Sequence, residues 1–197
     1  MPTEISAPPE LTLETAAQLA RELWGVDGEP SPLPSYIDAN VRLRPQSGPG
    51  VVLKVANAGE PREELELQNA AMTHVDARLP GACPRPLATR DGRTVVALTL
   101  AGRRHLARLV SFLPGQLYAD ARPQDDALRA SLGRFMGRLD VALADFDHPA
   151  ADRYIRWDIL RADWVAEQLD AIQQPRRRAL ARGWITRYLE ELRPRLA

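Results

Sequence analysis

One lysine, Lys54, stands among 25 arginines in a chain of 197 residues. Basic positions so uniformly converted to arginine reflect a coding bias, and a lysine that survives it is a candidate for a place where a compact ammonium cannot be exchanged for a planar fork. Lys54 lies in Val51-Val52-Leu53-Lys54-Val55-Ala56, a run apolar at both alternating sets of positions. Such a strand is expected to be buried, and its ammonium then needs a partner. A lysine discouraging edge-to-edge pairing, or one whose stem lies along apolar surface with its head in water, explains the segment equally well. The chemistry on offer is a point charge for an anion.

Other chemistries are poorly represented. Cys83 is the single cysteine and the three histidines are scattered, so no cysteine-based zinc site or internal disulfide is expected. The 26 basic and 26 acidic side chains balance, so no net field favours nucleic acid or an anionic membrane, and any anionic ligand must be held locally. No apolar run approaches the roughly 20 residues of a membrane span, and Met-Pro-Thr-Glu lacks the basic start of a signal peptide. The expected location is the cytoplasm. A hydrophobic content of 45% is enough to bury a core at this length.

The elements that must position Lys54 follow from periodicity. Leu13, Ala16, Ala17, Ala20, Leu23 and Trp24 form one helical stripe. Gly28 to Pro34 carries three prolines and reads as loop or irregular edge strand. Strand pairing is expected from Asn40 through the turn Ser47-Gly48-Pro49-Gly50 into the Lys54 run. A helix starts at Pro61, with Leu65, Met72, Val75 and Leu79 on one side, and Pro80-Gly81 ends it. Thr94–Leu100 and Leu106–Leu113 form a second hairpin around Ala101-Gly102-Arg103-Arg104, closed by Pro114-Gly115. From Asp125 onward every apolar pattern is helical, so the last 70 residues are expected to be helix. The fold class is therefore α+β, with an N-terminal helix over 1–27, a small mixed lobe over 28–115 and a helical region over 116–197.

A hairpin with a lysine on its second long strand, a helix with acids and amides, then another hairpin ending in Pro-Gly is the order of a kinase small lobe. Val-Leu-Lys-Val-Ala-Asn-Ala, Leu-Gln-Asn-Ala-Ala-Met and Leu-Val-Ser-Phe-Leu-Pro-Gly resemble the aminoglycoside phosphotransferase superfamily, nearest its hydroxylysine-kinase-like branch. Phe146-Asp147-His148-Pro149-Ala150-Ala151-Asp152-Arg153 with Trp157-Asp158 is similar to a segment of that branch in which such domains precede class III aminotransferases. The resemblance spans residues 30–197. It implies that Lys54 holds the α- and β-phosphates of ATP or GTP. It places Ser35 and Asn40 in the loop over the phosphates and Gln68 where a glutamate partner of Lys54 belongs, so that either Glu64, one turn earlier, substitutes as the acid or the phosphates supply the charge. It places the hinge at Ser111-Phe112-Leu113, whose main chain would pair with an adenine edge while Val110 and Leu53 sandwich the ring.

The same resemblance requires a catalytic aspartate on a His-Gly-Asp-type loop and a second aspartate for magnesium. Neither motif occurs in the sequence, and Asp145-Phe146-Asp147-His148-Pro149 reads better as a polar helix terminus than as a stand-in. The expectation is the nucleotide-gripping N-terminal part of a phosphotransferase acting on a small-molecule hydroxyl, inactive alone, with magnesium ligands elsewhere. The alternatives are a non-catalytic regulatory module, as beside an aminotransferase domain, and an unrelated α+β domain. Helical faces around Trp164 and Trp184 are expected to lack cover and to favour association.

Overall fold

A computed structural model describes residues 8–153, 155 and 158–196. Met1 to Glu4 and Trp157, whose types entered the sequence reading, lie outside them. The chain divides into two compact units, the first reaching Ala151 and the second starting at Asp152.

The first unit is an antiparallel sheet with helices. Helix α1 (Leu13–Leu19) starts at Thr12, whose hydroxyl accepts from Thr15 N–H at 3.1 Å. It widens into a π turn over Ala20–Trp24 and stops at Gly25, which takes a left-handed φ of 70°. Strand β1 (Glu29–Leu33) contains Pro30 and Pro32 and pairs only with β2 (Ala39–Arg44). An edge tolerates prolines because a missing N–H there breaks no inner ladder. Strand β3 (Val51–Val55) pairs with β2, and at the turn between them Gly50 has a φ of 89°. A Cβ on Gly50 would stand 2.7 Å from the Leu43 carbonyl oxygen, so the turn admits glycine alone.

Helix α2 (Arg62–Arg78) follows Pro61, which caps it from extended backbone. Strand β4 (Pro86–Leu87) was not foreseen, having only two residues. Strands β5 (Val96–Leu100) and β6 (Arg103–Ser111) form the second hairpin. Its turn is Ala101-Gly102 alone, with φ of 47° and 76° at the two positions, so Arg103 and Arg104 belong to the strand. The order is β1-β2-β3-β6-β4, and β5 pairs with the start of β6 on the edge whose far end carries β4.

Alternation divides the sheet into two faces. Val41, Leu43, Leu53, Val55, Ala107 and Leu109 pack with Ala16, Ala20 and Trp24 of the N-terminal helix as the main core. Ala56 and Leu106 pack with Leu65 of α2 on the other face. Helix α3 (Asp126–Leu143), capped by Asp125, completes this unit against α2. No described helix is long and apolar enough to cross a membrane.

The second unit differs from the expected continuous helices. It has a 3-10 turn at Ile159–Arg161, one turn of helix α4 (Trp164–Glu167), a further 3-10 turn at Leu169–Ala171, and α5 (Pro175–Arg187), continued by a π turn to Leu192. Asp158 and Pro175 start separate segments, which interrupts the periodicity that apolar spacing alone predicts. Trp164 is half-buried, whereas Trp184 is 59% exposed with the Arg187 guanidinium 5.6 Å from its ring.

Candidate functional site

Strand register builds the site. Asn40 on β2, Lys54 on β3 and Arg108 on β6 are directly opposed across adjacent strands, so all three side chains rise from the face that α2 covers. Lys54 Nζ donates to Asn40 Oδ1 at 2.9 Å. Arg108 is buried and points into α2: it donates to Asn69 Oδ1 at 2.8 Å, to the Leu65 carbonyl at 3.5 Å and to Gln68 Oε1. Asn69 is buried too, and its amide nitrogen donates to the Thr94 carbonyl at 3.3 Å.

Electrostatics follow from this burial. Desolvation pulls the Lys54 ammonium below its ordinary value, the neighbouring Arg108 charge pulls it further, and Asp38 opposes both. Arg108 is lowered by burial, with Asp38 and Glu60 opposing. Among the described residues, no carboxylate lies within 4.0 Å of either cation. Asp38 Oδ1 accepts from the Asn57 N–H at 3.1 Å, which ties the loop before β2 to the end of β3. Asp38, Lys54, Glu60, Gln68 and Arg108 line a cavity of about 20 Å³, the room of a single water.

The predicted residues separate accordingly. Asn40 and Lys54 meet. Gln68 faces the site but is engaged by Arg108, and Glu64 sits one turn earlier on α2, half-buried and outside the cavity lining. Ser35 is exposed in the loop between β1 and β2. Ser111 ends β6, where its N–H donates to the Arg85 carbonyl and its hydroxyl accepts from Arg85 N–H, both at 2.9 Å. Phe112 N–H donates to Gly50 at 3.0 Å, and its ring lies 3.7 Å from the Arg42 guanidinium. Leu113 follows, 41% exposed. Leu53 and Val110 lie on opposite faces of the sheet, because Val110 pairs with Val52 and Leu53 with Leu109. They cannot sandwich one ring, and Val52 is the residue that shares the face of Val110.

Arg108 escaped the sequence reading. It interrupts Leu106-Ala107-Arg108-Leu109-Val110 as Lys54 interrupts its own run, yet arginine is so common here that the anomaly carried no contrast. Asp145 accepts from Arg78 at 2.7 Å and contacts His74 Nε2 at 3.1 Å, joining the end of α2 to the residues after α3.

The antiparallel sheet, with α2 against one face and the lysine on its middle strand, is the arrangement the kinase resemblance implies. The chain belongs to the phosphotransferase enzyme family, whose pattern matches residues 29–197. Mouse (Mus musculus) hydroxylysine kinase is 26% identical over 214 residues, covering 99% of this chain and 56% of that protein. The chain thus spans about half the length of this relative. Among solved structures, an amicoumacin kinase in complex with AMP-PNP, Ca2+ and Ami superposes with a TM-score of 0.67 at 16% identity, over 92% of this chain and 55% of that one. A microcompartment-associated aminopropanol kinase gives 0.58 at 20% identity, over 74% and 45%. A spectinomycin phosphotransferase in complex with ADP and spectinomycin gives 0.59 at 11% identity, over 82% and 46%. These likenesses establish the protein-kinase-like α+β fold.

Proposed function

We propose that this chain grips the phosphates of ATP or GTP through Lys54, as part of a phosphotransferase that moves the γ-phosphoryl group to a hydroxyl of a small molecule. The observation that carries the reading is the Lys54 ammonium itself: oriented by a neutral amide, partly desolvated, and without a carboxylate at ion-pair distance among the described residues. A phosphate oxygen supplies the missing negative charge and restores its ordinary protonation. Ser35 and Asn40 border the phosphates from the loop before β2. At the hinge, the Ser111 and Phe112 N–H groups are already used within the chain, which leaves the Leu113 N–H to read the base, above Val52 and Val110. Gln68 acts on this site through Arg108, and Glu64 from the preceding turn of α2.

The transfer step itself needs a His-Gly-Asp-type loop, a motif that does not occur in this sequence, and magnesium ligands, which on this reading lie elsewhere in the parent protein. Alone, the chain binds nucleotide weakly and turns over none. The parent protein acts on a small-molecule acceptor, and the remaining helical lobe is the partner of this one. Calorimetric titration with ATP and GTP tests this: binding in the wild type and at least tenfold weaker binding in Lys54→Met are expected. Binding of neither nucleotide, by this chain and by one extended through a complete helical lobe, would overturn it.

A second reading, a non-catalytic regulatory module such as one fused to a class III aminotransferase, draws on Gln68 in the glutamate position. It predicts that the extended protein binds nucleotide without phosphorylating any alcohol.

A further inference from the structure

We infer that Arg108 is a positioning residue that docks α2 onto the sheet through uncharged acceptors, so that helix placement no longer depends on Lys54 and its ammonium is left for a polyphosphate. The inference rests on the nucleotide reading above. In the arrangement implied by the family, one lysine–carboxylate contact would serve both purposes. Here they fall to neighbouring strands: Arg108 reaches the Leu65 carbonyl, Gln68 and Asn69, while Lys54 turns the other way to Asn40.

The acceptors are neutral, so the guanidinium keeps its charge beside Lys54. The charged groups facing it are Lys54, Asp38 and Glu60, and Asp38 is itself held by the Asn57 N–H. The Arg108 guanidinium is buried and already engaged by Leu65, Gln68 and Asn69. Arg108 therefore acts through α2 and through its field, without touching the ligand. Gln68 is the control point. A carboxylate there would bond Arg108 directly, cancel its charge, and add a negative charge next to the phosphate site.

The consequence runs against intuition. Gln68→Glu, which restores the residue type the family implies, should raise the thermal midpoint by a few degrees because a buried charge gains a counter-ion. It should also weaken binding of ATP and of inorganic tripolyphosphate by about three- to tenfold, with a shallower dependence on salt. Arg108→Lys, which cannot make the three-point contact, should lower the midpoint and increase hydrogen exchange along α2.

The test is calorimetry and thermal melting on the full chain, with ATP, tripolyphosphate and adenosine as probes, for wild type, Lys54→Met, Gln68→Glu and Arg108→Lys. Support is a higher midpoint with weaker polyphosphate binding in Gln68→Glu, and no change for adenosine. Tighter or unchanged ATP binding in Gln68→Glu overturns the inference while the nucleotide reading stands. ATP binding that ignores Lys54→Met overturns both. Should Arg108→Lys fail to fold, the opposed signs in Gln68→Glu decide alone.

Discussion

The sheet and the segment after Asp152 are held by different means. In the sheet unit Leu43, Leu53, Val55 and Leu109 are wholly shielded from solvent, and Lys54 and Arg108 are each placed by strand register and held by a named partner. In the second unit Leu169 is the only buried hydrophobic residue among those described, while Ile159, Leu180 and Trp184 are each about 60% exposed. A site needs side chains held to a fraction of an ångström, which packed strands supply and short helical turns joined by loops do not. The contrast fits the proposed reading, in which the phosphates of a nucleotide are held from the sheet.

Substitutions can break this contrast. Leu109→Ala should cost about 3 kcal/mol of stability, because it opens a cavity in the main core, read as a shift of the urea midpoint. Gly50→Ala should cost about 2 kcal/mol, since it sets a Cβ against the Leu43 carbonyl at a left-handed φ. Lys54→Met should do the opposite and add about 0.5–1 kcal/mol while weakening nucleotide binding at least tenfold, the pattern of a residue kept for function at a cost in stability. Its pH signature is distinct. The folded pKa of Lys54 lies below the unfolded 10.5, so in the window between the two values the unfolded chain binds more protons and stability rises with pH. Below the folded value the penalty is full and constant. Lys54→Met should remove that rise in alkaline denaturation curves. Trp184→Ala, in the second unit, should change stability by less than about 0.5 kcal/mol; a loss like that of Leu109→Ala would erase the distinction between the two regions.

What the sequence disclosed depends on how local the signal is. The hairpins and α2 were legible from alternation, turn residues and helical spacing, because Val41, Leu43, Leu53 and Val55 repeat at the period of the pleat. Strand β4 was not, since two residues carry no period and Pro86-Leu87 is a strand only by pairing with β6. The helical expectation beyond Asp145 failed where apolar spacing continued across loops. In the site, Lys54 was visible through its rarity and Asn40 through its place before the Lys54 strand. Arg108 was hidden by the abundance of its own type, and its hold on Gln68 depends on a register that joins positions 40 residues apart. The face assignment that separates Leu53 from Val110 likewise needs the pairing of β3 with β6.

Because Lys54 is the only lysine, labelling the chain with 15N-lysine gives a single side-chain ammonium signal, and its titration with and without ATP tests the central claim most directly. In the free chain Lys54 should titrate below 10.5, and saturating ATP should shift the signal and move its titration upward. A signal that titrates at the ordinary lysine value and does not respond to ATP would contradict the account.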